Sequence, residues 1–283
     1  ALEHQRQCLD QEKALRHNLE KSFRELHTTN QFLIRKALPP DQLDDQHMFQ
    51  PCYVFTHHKC ASNWLRLIFG EYCDLEESNL RVVFGSPTYR LNDLGKPLIN
   101  LCVNSYWDDI EPVVHAKEHS MVHFVRDPRD ALVSQYYSWL YSHKNNDQEI
   151  VECRKKLQEL PFKDGMLLMI EHFRMGRQLA SWPEEQIGAI KIIRYEDLLL
   201  DFQKTASKTF QYLGLNVKPD DLQKIEKTTS FKSITGRTPG EEVKESHFRK
   251  GVVGEWREVL TPKVLEKFNN SYRELITNLG YSV

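Results

Sequence analysis

The chain has 283 residues, 40% of them hydrophobic, enough to bury one sizeable core without dividing. Thirty-eight basic residues against forty acidic ones leave a net charge of −2, which argues against a surface built for nucleic acid or a polyanionic glycan. The six cysteines form no Cys-x-x-Cys pair and no cluster with histidine, so neither a metal site nor a disulfide framework is expected.

Residues 1–37 contain neither Gly nor Pro and are dense in Glu, Gln, Lys, Arg and Leu, which predicts helix. Leu15, Leu19, Phe23 and Leu26 form a stripe at helical spacing, and Pro39-Pro40 ends the element. Residues 1–40 are therefore expected to be a helical extension, followed by a polar linker and one domain over 41–283. This first segment is charged throughout and is no secretory signal. No apolar run approaches the roughly 18–20 residues that cross a bilayer, so a cytoplasmic protein is expected. The first residue is Ala, which leaves open processing or excision from a larger multienzyme.

From residue 52 the pattern becomes strand–helix alternation. Strands are predicted at 52–56, 97–104, 120–125 and 188–194, and helices at 63–72, 128–143, 164–181, 196–213, 218–228 and 262–279. Apolar strands without period-two alternation, each followed by a helix, predict an α/β domain with a central parallel sheet covered on both faces. Ligands bind at the carboxyl ends of such strands.

At the first such end stands Thr56-His57-His58-Lys59-Cys60-Ala61-Ser62-Asn63-Trp64. A turn of small residues between strand and helix aims backbone N–H groups and the helix N-terminus at an anion. Lys59 adds a point charge there. The Gly-x-x-x-x-Gly-Lys-Ser/Thr pattern of the common nucleotide loop is absent, so this is a P-loop-like cradle built without the usual glycines. The second end is His123-Phe124-Val125-Arg126-Asp127-Pro128-Arg129-Asp130, with Ser134 in the following helix. Arg126 can grip a phosphate with two parallel bonds, although the segment also reads as a salt-bridged helix start. Further on come Ile192 to Leu198 with Tyr195-Glu196-Asp197, then Thr229-Ser230-Phe231, then Phe248 to Trp256 with Arg249-Lys250-Gly251.

In this order and spacing, from about Tyr53 to Trp256, these segments resemble the soluble, small-molecule sulfotransferases that use 3′-phosphoadenosine 5′-phosphosulfate (PAPS) and release the 3′,5′-bisphosphate (PAP). The resemblance implies a single-domain sulfotransferase fold over 41–283 and transfer of a sulfuryl group to a hydroxyl or amine of a small acceptor. Lys59 then holds the catalytic lysine's place, bridging the 5′-phosphate and the transferring group. Cys60, Ala61, Ser62, Asn63 and Trp64 stand where the family usually has Ser-Gly-Thr-Thr-Trp, to hold the 5′-phosphate and adenine. Arg126 and Ser134, with Arg249, Lys250 and Gly251, match the 3′-phosphate positions; Tyr195, Thr229, Ser230 and Phe231 match adenine- and phosphate-contacting ones. No metal is implied.

The family's general-base histidine has no counterpart in Leu98 to Ser105, and Asn104 cannot take a proton. His58, beside Lys59, is the first choice. His57, Glu76, Glu77, Asp108 and Asp109 are alternatives, as is an acceptor that needs no strong base. His115, His119, His123 and His143 read as structural or exposed. Tyr106, Trp107, Tyr136, Tyr137, Trp139 and Tyr141 read as core, or as one wall of a partly apolar acceptor site. A small-metabolite kinase and a catalytically silent nucleotide-binding module are the rivals. The family's dimer segment matches Arg257 to Glu266, where Pro262 removes a backbone N–H, so a monomer or weak homodimer is expected.

Overall fold

The structure, a computed structural model, describes residues 52–75, 81–85, 98–115, 120–145 and 147–283. The amino-terminal helix with its apolar stripe, and Glu76, Glu77 and His119, lie outside the described residues.

The elements run β1 (Cys52–Thr56), α1 (Ser62–Leu75), β2 (Arg81–Gly85), β3 (Leu98–Cys102), α2 (Trp107–His115), β4 (Ser120–Val125) and α3 (Pro128–Tyr137). A π-helical turn over Ser138–Ser142 follows, then α4 (Gln148–Glu159), α5 (Phe162–Glu171), α6 (Arg174–Leu179), α7 (Glu184–Ile187) and β5 (Lys191–Arg194). The rest is helical: α8 (Tyr195–Leu200), α9 (Phe202–Tyr212), α10 (Pro219–Thr229), α11 (Phe231–Thr235), α12 (Trp256–Val259) and α13 (Pro262–Asn278). The strands form one parallel sheet in the order β2-β3-β1-β4-β5.

β1 is central and every residue of it is buried. Successive side chains of a strand point to opposite faces, and β1 divides accordingly. Tyr53 and Phe55 enter a core with Trp139, Met169, Phe173 and Phe268 from the helices on one side. Cys52 and Val54 enter a second core with Leu65, Phe69, Phe210 and Ile225 on the other. Each such fully buried large side chain stabilises the fold by ~1.5–3 kcal/mol. Two covered faces explain why the strands read as continuous apolar runs rather than alternating ones.

Several predicted helices are divided. The 196–213 stretch breaks at Asp201, whose carboxylate accepts the Lys204 N–H and so caps α9. The 164–181 stretch breaks at His172-Phe173, between α5 and α6. The 128–143 stretch is α-helical only to Tyr137 and then widens into the π-turn. Strand β2 and helices α2, α4, α7, α11 and α12 are additions to the predicted set.

Candidate active site

The carboxyl ends of β1, β3, β4 and β5 open on one cavity of about 300 Å³. The loop after β1 supplies its floor. Lys59 and Ala61 take positive φ, 65° and 63°, a conformation that side-chain-bearing residues rarely adopt and that collects at functional sites. It turns the chain sharply enough for α1 to start at Ser62, whose first N–H groups have no acceptor within the helix. The Cys60 N–H is spent inside the loop, on the His57 carbonyl at 3.1 Å, and the Thr56 hydroxyl donates to the Cys60 carbonyl at 3.2 Å. Burial pushes the Cys60 thiol up to about 12 and turns it into a packed group near Met175 Sδ at 3.6 Å. Of the loop residues, Lys59, Ala61, Ser62, Asn63 and Trp64 line the cavity, and Cys60 does not.

Lys59 has no carboxylate partner among the described residues. Burial, then the Arg126 and Arg249 charges, lower its pKa to about 8. Arg126, at the end of β4, stays out of the local ion pair that its sequence suggests. That pair is Arg129 with Asp127, buried, at 2.8 Å, while Asp127 also caps α3 through the Arg129 N–H. The Arg126 guanidinium lies 4.7 Å from the centre of the Tyr195 ring, and its buried Nε has no hydrogen-bond partner. Ser134, further along α3, lines the same cavity.

Asp130 explains the remaining acid of this segment. Its carboxylate accepts the Gly254 N–H at 2.6 Å and the Trp256 N–H at 3.0 Å, tying the Arg249–Trp256 stretch to α3. Arg237 fastens the other end by donating to the Phe248 carbonyl and, at 2.7 Å, to the Arg249 carbonyl. Gly251 has φ 66°, and a Cβ there would stand 2.5 Å from the Phe231 ring, so the backbone lies flat on that ring only because it is glycine. Arg249 is held differently from Arg126. Its guanidinium meets both oxygens of Glu255 and one of Glu242, and sits 4.2 Å from the Tyr137 ring centre. Lys250 reaches Glu255 at 3.2 Å.

Trp64 packs against Tyr195 and Phe202, and its indole N–H donates to the Thr229 carbonyl at 2.8 Å. The side chains of Thr229 and Ser230 do not line the cavity. The Thr229 hydroxyl donates to the Ile225 carbonyl at 2.6 Å, and Ser230 caps α11 by accepting the Ser233 N–H. Glu196 is a brace as well: it accepts the Asp127 N–H at 2.8 Å and the Tyr281 hydroxyl at 2.7 Å.

The cavity is also lined by His57, His58, His143 and His247, with Val103, Asn104 and Phe248. None of the aromatic residues proposed as an acceptor wall lines it. Tyr136, Trp139 and Trp107 are core, while Tyr106 and Tyr141 are exposed. Asp108 and Asp109, on α2, are also outside the lining. His57 is buried, with Nε2 2.8 Å from His123 Nε2, and burial drives the pKa of both imidazoles down, that of His123 to about 4. His58 meets the cavity, but its Nε2 accepts the Trp139 indole N–H at 3.3 Å, which occupies the lone pair that a base needs. Burial, with Lys59 and Arg174 nearby, drives its pKa well down. Its backbone N–H donates to Gln178 Oε1 at 3.0 Å, and Gln178 Nε2 donates to Asn104 Oδ1 at 3.1 Å, so one amide links the β1 and β3 loops. No sequence signal marks Gln178, Glu255 or Asp130; each is identified by what it touches. His143, expected to be structural or exposed, is brought to the cavity wall by the π-turn.

The family described as Sulfotransferase domain matches residues 54–280. Sulfotransferase 2A1 of Macaca fascicularis is 27% identical over 177 residues, which is 56% of this chain and 57% of that protein. The 3-beta-hydroxysteroid sulfotransferase of Cavia porcellus is 29% identical over 165 residues, 54% of this chain and 55% of that protein. The chain thus spans just over half the length of these curated relatives. The crystal structure of mouse sulfotransferase SULT7A1 complexed with PAP shares the fold, with a TM-score of 0.57 at 20% identity over 81% of this chain and 88% of that one.

Proposed function

The chain belongs to the sulfotransferase-domain family, and on that premise we propose that it is an enzyme that moves a sulfuryl group from PAPS to a hydroxyl or amine of a small-molecule acceptor. The observation that carries this reading is the convergence of Lys59, Arg126 and Arg249 on one cavity, with the Lys59 pKa held down to about 8. Lys59 and Arg126 form no ion pair with a carboxylate among the described residues, and such buried cations favour an anion in the cavity.

The residues present fit a nucleotide carrying phosphates at both ends of its ribose. Arg126 has an orphaned Nε aimed at that need, and Ser134 offers a hydroxyl beside it. Trp64, Tyr195 and Phe231 supply an apolar edge for a base. PAPS, when bound, supplies the activated sulfuryl group. Lys59 and the amides at the start of α1 then neutralise charge on the departing 5′-phosphate, a role that asks for fixed donors rather than a metal. Arg126, Ser134 and Arg249 hold the 3′-phosphate. The hydroxysteroid named for one relative supports a small, partly apolar acceptor. The kinase alternative asks for a metal-holding hydroxyl directly after the lysine, and the buried thiol of Cys60 does not provide one.

Calorimetry with PAP, AMP, ADP and ATP tests the reading. PAP is expected to bind at least ~10-fold more tightly than the other nucleotides, because a buried guanidinium left without its 3′-phosphate costs roughly 1.5–3 kcal/mol. Equal affinity for ATP and PAP overturns it.

A further inference from the structure

The cavity holds imidazoles from several different segments, and their ring nitrogens are not equivalent. His57 is paired with His123 beneath the loop. His58 has its Nε2 lone pair taken by the Trp139 N–H. His247 is exposed on the loop before Phe248, and among the described residues nothing fixes its ring. His143 is different on each count. Its Nδ1 lies 3.2 Å from the Lys144 carbonyl, which can only accept, so Nδ1 carries the proton and Nε2 presents its lone pair. Among the described residues that Nε2 has no hydrogen-bond partner.

The backbone beneath His143 is stapled. Its N–H donates to the Ser138 carbonyl at 2.7 Å, closing the π-turn. Arg154, on α4, donates to the His143 carbonyl at 2.7 Å, to the Trp139 carbonyl at 2.5 Å and to the Asn145 side chain. Asp147 caps α4 and pairs with Arg174, which in turn lies 4.9 Å from the centre of the Trp139 ring. A π-turn inserted at the end of a cavity-lining helix is a recurrent feature of functional sites, and here it swings the residue after it toward Lys59. The rings of His143 and His58 are 5.8 Å apart, with Lys59 next in the chain.

The geometry points to His143 as the general base of the transfer, an assignment that rests on the sulfotransferase reading above. The acceptor oxygen bonds to sulfur as its O–H bond breaks, and the proton passes to Nε2 of His143. The bond from sulfur to the nucleotide's phosphate oxygen breaks, and its electron pair stays on that oxygen beside Lys59. A positioned nucleophile, a base and an orienter hydrogen-bonded to the base are the parts such a site needs. The surroundings suit the role. Burial lowers the His143 pKa, the Lys144 carbonyl opposes that, Lys59 and Arg174 lower it further, and Asp147 raises it. His58 and His247 face it as neutral neighbours. The net direction is down, so the imidazole is unprotonated at neutral pH and ready to accept.

The test follows PAP release from PAPS, with 2-naphthol as acceptor and with water alone, over pH 5 to 8, roughly the range in which histidine titrates. In the wild-type protein kcat/KM is expected to rise with pH through an acid limb below about 6.5. His143→Gln is expected to lose that limb and to fall by about 10²–10⁴, with PAP affinity by calorimetry within about twofold of wild type. His143→Asn serves the same test should the glutamine variant unfold. A readout independent of turnover is the proton NMR titration of the His143 ring, whose midpoint is expected to coincide with the kinetic limb. A limb that persists in His143→Gln, or vanishes in His58→Gln instead, overturns the assignment while leaving the sulfotransferase reading intact. A wild-type protein that binds no PAP, or releases none in either assay, overturns both.

Discussion

Arg126 and Arg249 line one cavity in different states of pairing. Arg126 is packed on Tyr195 with a buried Nε that nothing satisfies. Arg249 is held by Glu255 and Glu242 before any ligand arrives. The first is a donor kept ready at the expense of stability, since an unsatisfied buried polar group costs ~1–3 kcal/mol. The second is structurally content and must share its guanidinium with a phosphate. One arginine is therefore specialised for binding, and the other divides its charge between binding and holding its own loop in place.

The largest expected effect is at Arg126. Arg126→Ala is expected to weaken PAP binding by about 10²-fold, from the loss of charge-assisted hydrogen bonds of roughly 1.5–3 kcal/mol apiece. Its denaturant midpoint should match the wild type or exceed it, because the orphaned donor is gone. A marked loss of stability would show that the long 3.5 Å bond from the Arg126 guanidinium to the Val252 carbonyl holds that loop, and the contrast would break. Arg249→Ala is expected to show the reverse balance. PAP affinity falls only about tenfold, while the unfolding midpoint drops, since Glu255 keeps Lys250 but loses its main partner in a half-enclosed site. Equal binding losses in the two variants would show that Glu255 and Glu242 release Arg249 without cost.

The same contrast separates what the sequence discloses from what it withholds. Lys59, Arg126 and Arg249 stand in readable segments because each follows a strand or opens a loop of unusual composition. The acids that pair with Arg249 are nearby in sequence, yet nothing in Arg249-Lys250-Gly251-Val252-Val253-Gly254-Glu255 tells a phosphate grip from an internal ion pair. Only the fold back across Asp130 closes that ring of charges. Among the elements, β2 escaped notice because Arg81-Val82-Val83-Phe84-Gly85 is a short run at the sheet edge. Helix α4 escaped because only Ile150, Cys153 and Leu157 turn inward from an otherwise polar surface. Helix breaks at Asp201 reflect capping chemistry, which wins locally over propensity. That His143 lines the cavity is illegible in the sequence for a geometric reason. A regular helix continued from Ser134 would place residue 143 elsewhere on the surface, and the one-residue widening of a π-turn leaves no mark in composition.

The buried contact between His57 and His123 has a further consequence. His57 directly follows β1 and His123 lies within the neighbouring β4, each only a few residues before a cation of the site, Lys59 after the first strand and Arg126 after the second. The pair is expected to act as a spacer that sets how far apart those cations emerge, and to do so only while uncharged. The His123 pKa is depressed to about 4 and that of His57 is lowered too, whereas both lie near 6.5 in the unfolded chain. Below about 6.5 the unfolded chain binds more protons than the native one, so stability falls with pH from there toward about 4 and is unaffected above. Equilibrium unfolding at pH 7 and pH 5, in the wild type and in His123→Phe, measures that slope; an equal slope in both proteins would remove the spacer's claim to it. Acid thus acts on the floor beneath the cradle, and loosening of this kind would move Lys59 and Arg126 together.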